Sequence, residues 1–236
     1  MMASKPAPSG GGFNPLSLSP FVMLDFTDIT TLWQDAAKTV AVAANNDPVG
    51  GIDDLSGNGT VINQVTSIKR PLYKTNMLNG LPGIQFDGVD DYLMGNITQT
   101  YPDADLYMVL RIDSATDGSY VVSSISGGNY SAIIRVARWS SMLAINGGVL
   151  PYTDYVKGVF ALARLKATST TRQFFKNNIS ILTESTGGLF RGNIIGGSES
   201  GTATAGISLC EYHLYPALSA ADNTSVTNWF NAKYGL

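Results

Sequence analysis

Cysteine, histidine and charge are scarce in this sequence. A single cysteine, Cys210, excludes an intramolecular disulfide. With one histidine, His213, beside that one thiol, the usual zinc ligand sets cannot be assembled. Charged residues make up 14% of the chain and the net charge is −3, so there is no basic stripe to release counterions from phosphates, and no nucleic-acid partner is expected. No apolar run approaches the roughly 18 residues of a membrane-spanning helix, so no membrane partner is expected either. The opening MMASKPAPSGGGFNPL lacks the apolar core of a secretory signal, which sets the expectation that the chain does not leave a cell by general secretion.

What remains is 236 residues, 44% of them hydrophobic, with 25 glycines. That is enough to bury a core without staples. Residues 1–12 are Pro-, Ser- and Gly-rich and read as a tail, flexible alone or anchored by an assembly. From Phe13 to Leu236 there is no linker or repeat, so residues 13–236 are expected to form one domain. Short β-branched and aromatic runs recur along it: Phe21–Phe26, Gly83–Phe86, Tyr92–Met94, Leu106–Ile112, Tyr120–Ser124, Ser131–Val136, Ser141–Ile145, Val159–Ala167, Arg172–Lys176, Gly192–Ile195 and Ile207–Tyr215. Gly, Asn, Asp, Ser or Pro fills most gaps. The pattern predicts an all-β antiparallel sandwich of jelly-roll type. Thr31–Ala37 reads as a short helical turn. One short α-helix is expected at the C-terminus, started by Ser219 with Asp222 as a capping-box partner and stopped by Gly235. It should lie on the sandwich edge or between subunits.

Two blocks carry a resemblance. The first, from Asp54 to Leu93, contains DLSGNG, RPLY and NGLPGIQFDGVDDYL. The second is GISLCEYHLYPALSAADNTSVTNWFNAKYGL, from Gly206 to the end. Together they resemble the laminin-G-like branch of the concanavalin A-like jelly rolls, in the form carried by virion proteins of tailed bacteriophages. That resemblance implies a non-enzymatic structural protein of a phage particle, a capsid decoration or a tail appendage such as a fibre. It would be assembled in the host cytoplasm and exposed on the virion. The implied partners are other virion proteins and copies of itself, with a trimer favoured, and host surface glycans bound weakly. A carbohydrate-binding adhesin that recognises the host is the alternative, and a polysaccharide hydrolase the third reading.

The candidate chemistry is sparse. Jelly-roll glycosidases set paired carboxylates on one strand face, but Glu184, Glu199 and Glu211 stand in no such motif. Asp103 and Asp105 have strand-like spacing at a Pro-adjacent turn. His213, with no nucleophile elbow nearby, reads as a strand residue packed by Tyr212 and Tyr215 or under the terminal helix. Sugar binding needs aromatic platforms and planar polar groups; Trp139, Tyr130, Tyr152 and Tyr155, with Asn129, Asn146 and Arg138, are the candidates. No cofactor is expected except calcium, held by Asp53, Asp54, Asp87, Asp90 and Asp91 if the Asp53–Asn58 loop reaches them. The plainer reading makes Asp87-Gly88 the turn of a hairpin, with Phe86 and either Tyr92 or Leu93 entering the core.

Overall fold

The computed structural model describes residues 12–97, 101, 103–114, 119–126, 129–137, 142–145, 148–151, 158–184, 194–197 and 204–236. Its strands are β1 (Val22–Asp25), β2 (Leu32–Trp33), β3 (Gly51–Ile52), β4 (Ile62–Asn63), β5 (Leu72–Leu78), β6 (Leu81–Gln85), β7 (Leu93–Gly95), β8 (Ala104–Ser114) and β9 (Tyr120–Ser126). They continue with β10 (Asn129–Ala137), β11 (Met142–Ile145), β12 (Gly148–Pro151), β13 (Ala161–Ala167), β14 (Arg172–Lys176), β15 (Ile179–Glu184), β16 (Ile194–Ile195) and β17 (Gly206–Pro216). One helix, α1 (Ala220–Tyr234), closes the chain.

The strands form two antiparallel sheets, an all-β sandwich. In the first, the order is β15-β14-β13-β8-β17-β6-β5, and β1 pairs with the far half of β17. In the second it is β12-β11-β10-β9-β16-β7-β4-β3-β2. Leu24, Phe26, Ile84, Phe86, Leu93, Leu106, Leu110, Val122, Leu165, Leu209 and Leu214 meet between the sheets. Alternation explains most of this: Ala161, Ala163, Leu165 and Ala167 of β13 face inward, and Arg164 and Lys166 therefore face outward.

Three sequence expectations change. The segment Asp87–Asp91 is not a hairpin tip. β6 belongs to the first sheet and β7 to the second, so the segment crosses from one sheet to the other. The reason is that Phe86 and Leu93 both belong to the one core but reach it from opposite sheets. Thr31–Ala37 is not a helical turn: a 3-10 turn ends at Thr31 and β2 follows, because Leu32 pairs with Ile52. The helix lies across the outer face of the first sheet rather than along its edge.

Its caps are as the sequence predicts. Ser219 Oγ accepts from the Asp222 N–H at 3.1 Å, and Gly235 closes the helix at φ 68°. Asn79 Nδ2 donates to the Tyr234 carbonyl at 2.5 Å, tying the helix end to the β5–β6 turn. Val226, Phe230 and Tyr234 pack on Tyr107, Val109, Cys210 and Tyr215. A β-bulge helps to shape this layer. Cys210 and Glu211 together oppose Val109, so inward alternation shifts from Leu209 to Tyr212 and the carboxyl of Glu211 comes out under the helix.

Candidate functional site

The Asp53–Asn58 loop is organised by its own carboxylates. Asp54 accepts from the N–H of Met23 (2.9 Å), of Ser56 (2.9 Å) and of Thr60 (3.3 Å), and from the Ser56 hydroxyl (2.7 Å). Gly57 and Gly59, at φ 82° and 69°, allow the tight return. Asp53 instead takes the Trp33 indole N–H at 2.9 Å and the Lys38 ammonium at 2.6 Å. Burial works to raise its carboxyl pKa, but the Lys38 and Trp33 bonds outweigh it and hold the value below normal.

The calcium set is therefore only partly brought together. Asp87, Asp90 and Asp91 place carboxylate oxygens within 4.8 Å of one another, while Asp53 and Asp54 are spent elsewhere. The carboxylates of Asp87 and Asp91 also serve as turn groups. Asp87 Oδ1 accepts from the Val89 N–H (2.7 Å) and lies 3.3 Å from the Asp90 nitrogen, and Asp91 Oδ2 accepts from the Asp87 N–H (3.0 Å). Gly88 supplies the expected positive φ, 78°. Burial pushes the Asp91 carboxyl up to about 6, with Asp87 and Asp90 adding repulsion.

Of the predicted sugar-binding residues, Trp139, Arg138, Tyr152, Tyr155 and Asn146 lie outside the described residues. Asn129 and Tyr130 fall on β10, where the backbone pairs them with Ser126 and Ile125; their side chains lie outside what is described.

The structure instead brings together residues that the sequence reading passed over. A pocket of about 340 Å³ opens at the rim between the two sheets. Phe21, Asn58, Gly59, Thr60, Asn96, Ile97 and Tyr101 line it. The size is at the lower end of small-molecule sites, roughly 300–1,000 Å³. Phe21 and Tyr101 stack with ring centroids 3.9 Å apart and planes 16° from parallel. Asn58 Nδ2 holds the carbonyls of Pro20 (3.0 Å) and Phe21 (3.1 Å), which fixes the amide and leaves its Oδ1 to a ligand. Asn96 Oδ1 accepts the Val61 N–H at 3.0 Å, which leaves its Nδ2. Among the described residues the hydroxyls of Thr60 and Tyr101 are likewise uncommitted. Burial, with Asp54 nearby, raises the Tyr101 phenol pKa, so it stays a proton donor.

The sole histidine and the bulged glutamate belong to a different place. His213 is buried beneath α1, its Nδ1 3.1 Å from the Tyr215 hydroxyl and its ring against Trp229 and Phe230. Lys233 reaches down from the helix to Glu211 and to Asp25, the latter at 2.8 Å. Burial raises the Asp25 carboxyl. It works against ionisation of Glu211 too, but Lys233 and His213 hold that carboxyl below its usual range. Asp105 is also structural: Arg164 pairs with it at 2.7 Å and the Leu218 N–H donates to it at 2.9 Å.

No family model matches the chain, and no curated protein matches it. Solved structures do. The chain is similar to a Trypanosoma rangeli sialidase in complex with sialic acid, with TM-score 0.57 and 12% identity over 87% of this chain and 32% of the sialidase. It is also similar to a GH54 α-L-arabinofuranosidase soaked with 4-nitrophenyl α-L-arabinofuranoside, with TM-score 0.57 and 13% identity over 79% of this chain and 51% of that one. The chain thus spans about a third of the sialidase. These identities show a shared fold, one found in carbohydrate-active proteins. They overturn the expectation of a chain set apart from enzymes: glycoside hydrolases carry this fold, so lacking a paired-glutamate strand motif does not exclude it from their company.

Proposed function

We propose that the chain is a glycan-binding β-sandwich domain that takes a neutral sugar in the rim pocket. One observation carries this reading. Asn58, Thr60, Asn96 and Tyr101 line one small pocket beside a stacked aromatic pair, and among the described residues Asn58 Oδ1, Thr60 Oγ1, Asn96 Nδ2 and the Tyr101 hydroxyl have no protein partner. Planar amides locked by backbone bonds and an aromatic flank suit vicinal hydroxyls and the apolar face of a pyranose. Among the described residues no charged side chain lines the pocket, which suits an uncharged ligand. The likeness to sugar-processing proteins supports the same reading.

The setting we propose is the particle of a tailed phage, exposed to host surface glycans. It rests on the resemblance of the two sequence blocks. Those blocks meet in space: β17 pairs with β6, and Asn79 caps the helix that ends the chain. The test is a glycan array probed with the full chain and with Tyr101→Ala, with and without calcium. Saturable binding of neutral glycans, lost in the variant, is the expected result. An array with no saturable binding would defeat the reading.

A further inference from the structure

The outer face of the first sheet is only partly covered by α1. Beside the first turn of the helix, β13 and β14 floor a second cavity of about 280 Å³. Two cross-strand pairs make that floor: Arg164 opposite Phe175, and Lys166 opposite Gln173. Asn178, from the turn after β14, closes one side.

Arg164 is held rigidly there. Its guanidinium lies 4.6 Å from the Phe175 ring centroid and 5.6 Å from that of Tyr107, and Nε and Nη2 both engage Asp105 Oδ1, at 2.8 and 2.7 Å. The residue is 7% exposed. A guanidinium has five N–H donors, and the other three have no partner among the described residues. Lys166 stands two residues along on the same face, about 7 Å away at strand spacing, and its ammonium has no carboxylate partner among the described residues. Asp105 is neutralised by Arg164, so Lys166 leaves the groove with a net positive charge. Its open donors are not sealed in the core but reach the groove, where an acceptor can meet them.

We propose that this groove is a second binding site, which takes the carboxylate of an acidic sugar such as a uronic acid. The carboxylate sits between the open N–H groups of Arg164 and the Lys166 ammonium, Gln173 and Asn178 serve the ring hydroxyls, and Phe175 flanks the apolar part of the ring. The inference rests on the glycan-binding reading but uses a different site, so the two fail separately.

The experiment is backbone-amide NMR and calorimetric titration of the full chain with a glucuronate-containing tetrasaccharide and with its carboxyl-reduced neutral counterpart. The expected result is that the acidic tetrasaccharide shifts β13 and β14 amides and that Lys166→Glu weakens it about tenfold or more, while Tyr101→Ala leaves it unchanged. Lys166→Gln, which keeps the fold and removes only the charge, should lie between. Equal affinity for the neutral counterpart at this groove would overturn the proposal. So would an unchanged affinity in Lys166→Glu, or inorganic sulfate competing with equal affinity to the tetrasaccharide. Loss of neutral binding in Tyr101→Ala with acidic binding intact would support it, and acidic binding absent with rim binding intact would overturn it alone.

Discussion

Replacing Lys233 with methionine tests how α1 is fastened. The side chain is 7% exposed, and its ammonium sits between Asp25, at 2.8 Å, and the fully buried Glu211. The rings of Trp229 and Tyr234 flank it at 5.1 and 5.4 Å from their centroids. Methionine keeps the aliphatic stem but strands two carboxylates with only His213 near, its Nε2 3.3 Å from Glu211. Removing one partner of a buried ion pair costs about 3–5 kcal/mol, which for a chain of this length lowers Tm by roughly 10 °C. The cost should depend on pH in a defined direction. Burial disfavours the ammonium, but Glu211 and Asp25 outweigh it, so the folded pKa of Lys233 lies above 10.5. A raised pKa stabilises the fold fully below 10.5 and the contribution fades as pH rises through the folded value. The stability gap between the native chain and Lys233→Met, measured by urea unfolding, should therefore be constant from neutrality to about that pH and shrink beyond it. Adding Glu211→Gln to the variant should recover part of the loss, because one uncompensated charge is gone. A gap below about 1 kcal/mol, or one that grows in alkali, would refute the clamp.

Two further perturbations probe the crossover that joins the sheets. Asp91 titrates near 6 in the fold against 3.8 normally, so it favours the fold below 3.8 and that contribution is lost as pH rises towards 6. Asp91→Asn should remove this fall from the Tm–pH profile, and parallel profiles for the two proteins would contradict the assignment. Gly196 has φ 87°, and a Cβ there would meet Phe86 Cδ1 at an overlapping distance. Gly196→Ala should cost about 3 kcal/mol or more in thermal unfolding, whereas a neutral result would mean that Phe86 moves freely.

The sandwich was legible because its strands alternate and its turns are punctuated: Arg172–Lys176 is β14 to the residue, and Ser219 and Gly235 are the caps they promise to be. Short strands such as β2, β3 and β4, two residues each, carry no period to read. The Asp87–Asp91 segment shows the other limit. Asp-Gly between apolar runs fits a hairpin, and only the pairing partners of β6 and β7 reveal a crossing between sheets. The bulge at Cys210 is equally silent, since nothing in Ile207–Tyr215 marks where the alternation shifts. The rim pocket draws on residues from Phe21 to Tyr101, on four separate segments. Its aromatics could be counted in the sequence, but their convergence is a product of tertiary contacts, with Asp54 gathering the loop onto Met23. The acidic triplet, by contrast, was conspicuous in sequence and turns out to give Asp87 Oδ1 and Asp91 Oδ2 to its own backbone.

The central claim is that the rim pocket binds a sugar, and the most direct measurement is a titration of the full chain with a neutral oligosaccharide, followed by the amide signals of Asn58, Thr60 and Asn96. Saturable shifts at those residues are expected, with Kd of about 1 mM and a loss of about tenfold in Tyr101→Ala as the aromatic flank goes. Shifts confined to other parts of the chain, or an affinity that Tyr101→Ala leaves intact, would contradict it.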